Sequence, residues 1–145
     1  MMITSKGRYA LRTMVDLAQH GNGGLVTLKD VAARQDISQK YLEQIVTQLS
    51  KAGLVKGIRG PQGGYRLSRE PKDYNVGEIL QLVEGSLAPV ECLEGDANTC
   101  ERCSSCATLD MWSGLYKVVT DYLGNISLQD IVDRANAAAG NDYMI

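Results

Sequence analysis

From Ser5 to about Gln19 the apolar residues Tyr9, Ala10, Met14, Leu17 and Ala18 recur at mostly helical spacing, and Gly-Asn-Gly-Gly after His20 ends the run. This pattern predicts a first helix packed along one face. Thr27 followed by Asp30 has the spacing of a capping box at the head of a short helix, Leu28 to about Arg34. Gln35-Asp36-Ile37 makes a turn. Ser38 then caps a third helix, in which Leu42, Ile45, Val46 and Leu49 form one buried stripe and Gln39, Lys40, Glu43, Gln44, Thr47 and Lys51 the polar face. Gly53 stops that helix, and Leu54-Val55 opens a strand. The Gly60-Pro61 and Gly63-Gly64 pairs force a turn, so two short strands are expected as a hairpin with Lys56, Arg59 and Arg66 around it.

Pro71 breaks the chain, and Asn75 with Glu78 repeats the cap pattern before Val76, Ile79, Leu80 and Val83, a fourth helix ending at Gly85. The stretch CLEGDANTCERCSSC, Cys92 to Cys106, is too polar to build a core for itself. From Ala107 to Leu123 a long helix is expected, with Leu109, Trp112, Tyr116, Val119 and Leu123 on one stripe and Met111, Leu115, Val118 and Tyr122 on another. Two stripes exceed what one packing face needs. One is expected to bury against its own subunit and the other against a second copy. Ser127 with Asp130 caps a last short helix through Leu128, Ile131 and Val132, and the tail beyond it is expected to be weakly ordered.

A chain of 145 residues with 44% apolar and 22% charged residues fits one compact unit rather than a disordered chain. With no Phe and one Trp, its core must be aliphatic. No window approaches the roughly 20 apolar residues of a membrane span, and the start lacks a signal peptide's apolar run, so a cytoplasmic protein without a membrane partner is expected. The net charge of −2 hides an asymmetry. Residues 1–70 carry eleven Lys and Arg against five Asp and Glu, a net of +6, whereas residues 71–145 carry four against twelve, a net of −8. A basic module joined to an acidic one points to nucleic acid at one end.

Helix, turn, helix and basic hairpin are the parts of a winged helix-turn-helix. The third helix can lie in a major groove with Ser38, Gln39, Lys40, Tyr41 and Gln44 near its start, while Arg59, Gly60 and Pro61 of the hairpin reach toward phosphates or the minor groove. Tyr41 has two readings, contact with a phosphate or packing alone. All four cysteines, Cys92, Cys100, Cys103 and Cys106, lie within fifteen residues. In a reducing compartment such a cluster reads as metal ligands or reactive thiols, so an iron–sulfur cluster, thiol redox sensing and zinc all stay open. His20, the one histidine, reads as a helix-end residue and Trp112 as core. No His stands near a Ser or Cys and no Gly-rich loop follows a strand into a helix, so neither an enzyme nor a small-molecule substrate is expected.

The opening ITSKGRYAL, the segment ISQKYLEQIVTQLSKAGLVKGIRGPQGGYRL, the phrase VGEILQLVEG and the cysteine loop leading to a Trp-bearing helix resemble the Rrf2 family of bacterial transcription regulators. Over residues 2 to about 133 the likeness is greatest to its iron–sulfur members, the regulators of iron–sulfur cluster biogenesis. The resemblance implies a cytosolic homodimer joined through the helix after the cysteine loop, a roughly palindromic double-stranded DNA operator, and Arg59 in a minor groove. It also implies three ligands, Cys92, Cys100 and Cys106, because the family's last cysteine lies six residues before a Trp, as Cys106 does before Trp112. The fourth ligand in those members is a His three positions after the last Cys, where this chain has Leu109. Either Cys103 completes an all-thiolate site or a group outside the cysteines does. Within the cluster reading [2Fe–2S] is favoured over [4Fe–4S].

The sequence thus predicts a mainly α chain with a small β-hairpin wing. It is organised as a winged helix-turn-helix (1–70), a connecting helix (71–87), a cysteine loop (88–106), a dimerisation helix with a C-terminal helix (107–135) and a flexible tail (136–145). The function expected is a DNA-binding regulator, a repressor among the possibilities, that senses cluster status or redox and nitrosative stress. One alternative is a cluster-free regulator of cysteine or sulfur metabolism acting by thiol oxidation or a partner enzyme. Another, of a different class, is a small iron–sulfur electron carrier.

Overall fold

Side-chain caps set where four of the helices of this computed structural model begin; residues 3–22 and 24–143 are described. Helix α1 spans Ser5–His20, α2 Leu28–Gln35 and α3 Gln39–Lys51. Strands β1 (Val55–Ile58) and β2 (Gly64–Leu67) follow, then α4 (Val76–Glu84), α5 (Leu109–Gly124) and α6 (Leu128–Tyr143). The hydroxyls of Thr27 and Ser38 accept from the Asp30 and Tyr41 amides, and the Asn75 carboxamide oxygen accepts from Glu78. Ser127 and Asp130 form the full reciprocal box, each amide bonded to the other's side chain at 2.9 Å.

Helix α1 is capped differently. Thr4 makes no cap of its own; the Glu84 carboxylate, from the end of α4, accepts from the Thr4 amide at 2.9 Å and from its hydroxyl at 2.8 Å. A carboxylate is favourable at a helix N-terminus. The approach needs Gly7, since a Cβ there would collide with Glu84 Oε1.

Two apolar clusters meet at α4. The larger joins Ala10, Met14 and Leu17 of α1, Val31 of α2, Leu42, Ile45 and Leu49 of α3, Tyr74, Ile79 and Val83 around α4, and Leu128 of α6. The smaller centres on Val76, Leu80 and Leu87, with Tyr116 and Leu123 of α5 laid against it. Helix α4 is therefore apolar on both sides. Backbone pairing of Asn75 with Ser127, through Val76 N to Ile126 O at 2.9 Å and Leu128 N to Tyr74 O at 3.0 Å, fixes the start of α4 to that of α6.

The architecture is the mainly helical one expected, with three differences. Val26 pairs with Tyr65 through two backbone bonds of 2.8 Å, adding a third short segment beside β2. Helix α5 starts at Leu109, two residues later than the pattern placed it. Helix α6 continues to Tyr143, so 136–143 extend the short last helix where a tail was expected; the run Ala137-Ala138-Ala139 is a good helix former in place. Met144 and Ile145 lie outside the described residues.

One carboxylate is fully buried in the helical core. Asp16 of α1 has no exposed surface and accepts from Arg34 at 2.9 and 2.7 Å and from Gln35 at 3.0 Å, both on α2. Burial alone would raise its pKa; the hydrogen bonds from Arg34 and Gln35 and the guanidinium charge outweigh it and hold the carboxyl below its usual value. The stability this gives is present above the unfolded pKa of about 3.9 and is lost as pH falls through the lower folded value. Asp16→Asn should cost about 1–3 kcal/mol at neutral pH. It should also flatten the acid limb of a urea-midpoint against pH profile relative to wild type.

Candidate nucleic-acid interface and thiol loop

The start of α3 is set by the turn before it. Asp36 adopts a left-handed φ of 54°, Ile37 is buried, and Ser38 caps the helix so that Gln39, Lys40, Glu43 and Gln44 face solvent. Tyr41 is half-buried, its ring edge-on to Tyr9 at 5.8 Å. Arg12 lies 5.2 Å over the Tyr9 ring and donates to Gln35, so the same contacts that seat α2 also seat the first turn of α3.

The hairpin pairs Val55 with Leu67, Lys56 with Arg66, Gly57 with Tyr65 and Ile58 with Gly64. Its turn is closed by Gly63 N to Gly60 O at 2.9 Å, with Gly60 at a φ of +114°. A Cβ on Gly63 would collide with the Ile58 oxygen, so a side chain there would force the turn open. The base of the hairpin is held by the buried Tyr74 hydroxyl, which donates to Leu54 O at 2.6 Å and accepts from Ser68 N and Arg69 N at 2.9 and 3.0 Å. Held this way, the wing stands across a cleft of about 550 Å³ from the helices, and Arg59, Gly60 and Pro61 share that cleft with Gln39. Thr27, Leu28 and Lys29 also line it, residues the sequence did not mark as part of an interface. Their signal was the apolar pair Leu25-Val26 just ahead of the Thr27 cap.

The cysteines sit beyond α4. Leu87 and Ala88 are buried, a single 3₁₀ turn covers Glu91–Leu93, and from Glu94 to Thr108 no residue is buried. Cys92 and Cys103 are half-buried, Cys100 and Cys106 exposed, and all four are free thiols. A turn with Cys103 N to Cys100 O at 3.2 Å brings two of these positions together along the chain. Among the described residues no three His, Cys, Asp or Glu side chains converge closely enough to grip a metal ion. The donor set nevertheless fits an iron–sulfur group: four thiols lie in fifteen residues, on backbone that no buried side chain holds open. Leu109, where the related regulators were expected to have a His, is the first residue of α5. His20 stands at the far end of α1.

A family model described as an iron-dependent transcriptional regulator, Rrf2, matches residues 3–134. The chain belongs to the Rrf2 family. This Rrf2 protein is 42% identical over 132 residues to the HTH-type transcriptional regulator IscR of Photobacterium profundum, covering 91% of this chain and 76% of that one. The solved structure of T. potens IscR matches it with a TM-score of 0.76 at 40% identity, over 95% of this chain and 90% of that one. CymR, the global cysteine regulator of B. subtilis, matches with a TM-score of 0.77 at 37% identity, over 92% and 98% of the two chains. The winged-helix fold and the regulator class read from the sequence are those of these relatives.

Within the Rrf2 thiol loop Cys106 has a hydroxyl neighbour. The Thr108 hydroxyl lies 3.4 Å from Cys106 Sγ, and this contact, with the Thr108 and Leu109 amides, lowers the thiol's pKa from its ordinary value. In metal-free reduced protein Cys106 should therefore alkylate readily at neutral pH. Thr108→Val should slow Cys106 selectively, as peptide mass spectrometry after timed iodoacetamide quenching would read.

Proposed function

We propose that this Rrf2 protein is a cytoplasmic homodimer that binds a roughly two-fold duplex operator and adjusts that binding through an iron–sulfur cluster, [2Fe–2S], on Cys92, Cys100, Cys103 and Cys106. The observation that carries the reading is the cleft that Gln39, at the start of α3, shares with the cationic wing. Gln39 lines it together with Arg59, Gly60 and Pro61. Such an arrangement suits base edges in a major groove, read by Gln39, Lys40 and Gln44, with Arg59 in the adjacent minor groove. In this reading residues 1–70 are the DNA-binding module, 88–106 the sensing loop and 107–135 the dimer-forming region.

Dimer formation through α5 is supported by its second stripe. Met111, Leu115, Val118 and Tyr122 are 53%, 39%, 65% and 62% exposed, whereas Tyr116 and Leu123 pack on α4. Pairing two such faces about a two-fold axis would cover the stripe and give the two wings a symmetric spacing.

When bound, an iron–sulfur cluster supplies a thiolate crosslink that oxidants and nitric oxide can break. The chain's own residues then link the loop to the DNA-binding module. Just before the loop, the last turn of α4 is tied to α3 by Gln48 Nε2 donating to Leu82 O at 3.0 Å, and to α1 by Glu84 on Thr4. Any change in how the loop sits therefore bears on the recognition helix, shifting the population of DNA-competent geometries.

The deciding measurement is the ultraviolet-visible spectrum of anaerobically purified protein, with iron and acid-labile sulfide counted. Charge-transfer bands with about two irons and two sulfides per chain are expected; protein that gains no cluster on anaerobic reconstitution would overturn the cofactor assignment. Cys103→Ser should abolish the cluster, and retention of the bands would assign the fourth position to a group outside the cysteines. Separately, Arg59→Ala should weaken binding to a duplex enriched from a random pool by the wild type, and lower the salt slope by up to about one. Unchanged affinity would sink the wing assignment.

A further inference from the structure

Five large apolar side chains stand exposed among the described residues; four belong to the α5 stripe, and the fifth is Ile58 on the wing, 51% exposed. Its exposure has a structural cause. Side chains alternate across a strand, so Lys56 and Ile58 share the face opposite Gly57. The residue directly opposite Ile58 is Gly64, which has no side chain to cover it. Gly64 is held to glycine from the other side, because a Cβ there would lie 2.7 Å from the Val26 oxygen. The pairing that braces the wing thus leaves Ile58 bare.

Its neighbours on this face are cations. Lys56 lies directly opposite Arg66, a like-charge cross-strand pair that is unfavourable in isolation, and neither is within ion-pair distance of a carboxylate among the described residues. Ile58 lines both the groove that holds Lys56 and Arg66 and the cleft that holds Lys29, Gln39 and Arg59. An apolar side chain between two sets of unpaired cations matches the wall of a DNA groove, where deoxyribose carbons lie between rows of phosphates.

We propose that Lys56, Ile58 and Arg66 form a further contact surface for duplex DNA, with Ile58 against the sugars and the two cations on flanking phosphates. This rests on the DNA-binding reading above and adds an apolar term to it. The test uses the full-length protein and a duplex enriched from a random-sequence pool by the wild type, with affinity measured across a salt series. An apolar contact releases no counterions. Ile58→Ala should therefore bind roughly five- to tenfold more weakly at every salt concentration with an unchanged slope, whereas Lys56→Ala and Arg66→Ala should each reduce the slope by about one. Unchanged affinity of Ile58→Ala, or a loss that comes with a reduced slope, overturns the assignment while leaving the wider reading intact. Unchanged affinity together with an altered sedimentation coefficient would give the face to a protein contact instead, and also overturns it. Failure of the wild type to enrich any duplex would overturn both readings.

Discussion

The buried hydroxyl of Tyr74 is the constraint on which the geometry of the interface depends. A two-stranded hairpin is marginal by itself in water, so the wing needs support from outside its own turn. Tyr74 serves three backbone groups at the base of that hairpin, Leu54 O, Ser68 N and Arg69 N, from a position just before α4. Arg69 lies 4.3 Å over the Tyr74 ring and bonds Glu78 at 2.5 Å, which adds a charged clasp outside the buried one. Val26 braces the other strand. Whether Arg59 and Gln39 share a cleft is decided by these contacts, several residues away from either.

Helix α4 ties the basic half of the chain to the acidic half. Its Ile79 and Val83 belong to the core shared with α1, α2 and α3, and its Val76 and Leu80 to the cluster that seats α5. A helix apolar on two sides has no free face on which to slide without disturbing one core or the other. The thiol loop that follows has no such core. It is held at its ends, by buried Leu87 and Ala88 and by α5, and is free of buried contacts between them.

Much of this was legible in the sequence because it is local. The stripe Leu42, Ile45, Val46 and Leu49 is fully buried, the caps at Thr27, Ser38, Asn75 and Ser127 sit where the spacing put them, and the double-striped α5 leaves one stripe bare. What escaped was non-local. Asp16 meets Arg34 across eighteen positions, Val26 meets Tyr65 across a longer span, and no periodicity announces either pairing. The thiols were legible as a donor set but not as a geometry, because turns of Ser, Asn and Asp carry no packing pattern from which convergence could be read. Lys29, exposed on a short helix, lines the cleft with the wing through the fold alone, with no local pattern to mark it.

Glu84 completes the first turn of α1 from eighty positions downstream. During synthesis, the Thr4 amide and hydroxyl can find that partner only after α4 has been made, so this cap of α1 closes late. A fragment that ends before Tyr74 would lack both the Glu84 partner of Thr4 and the hydroxyl at the base of the hairpin, and would keep only the Val26 pairing beside β2.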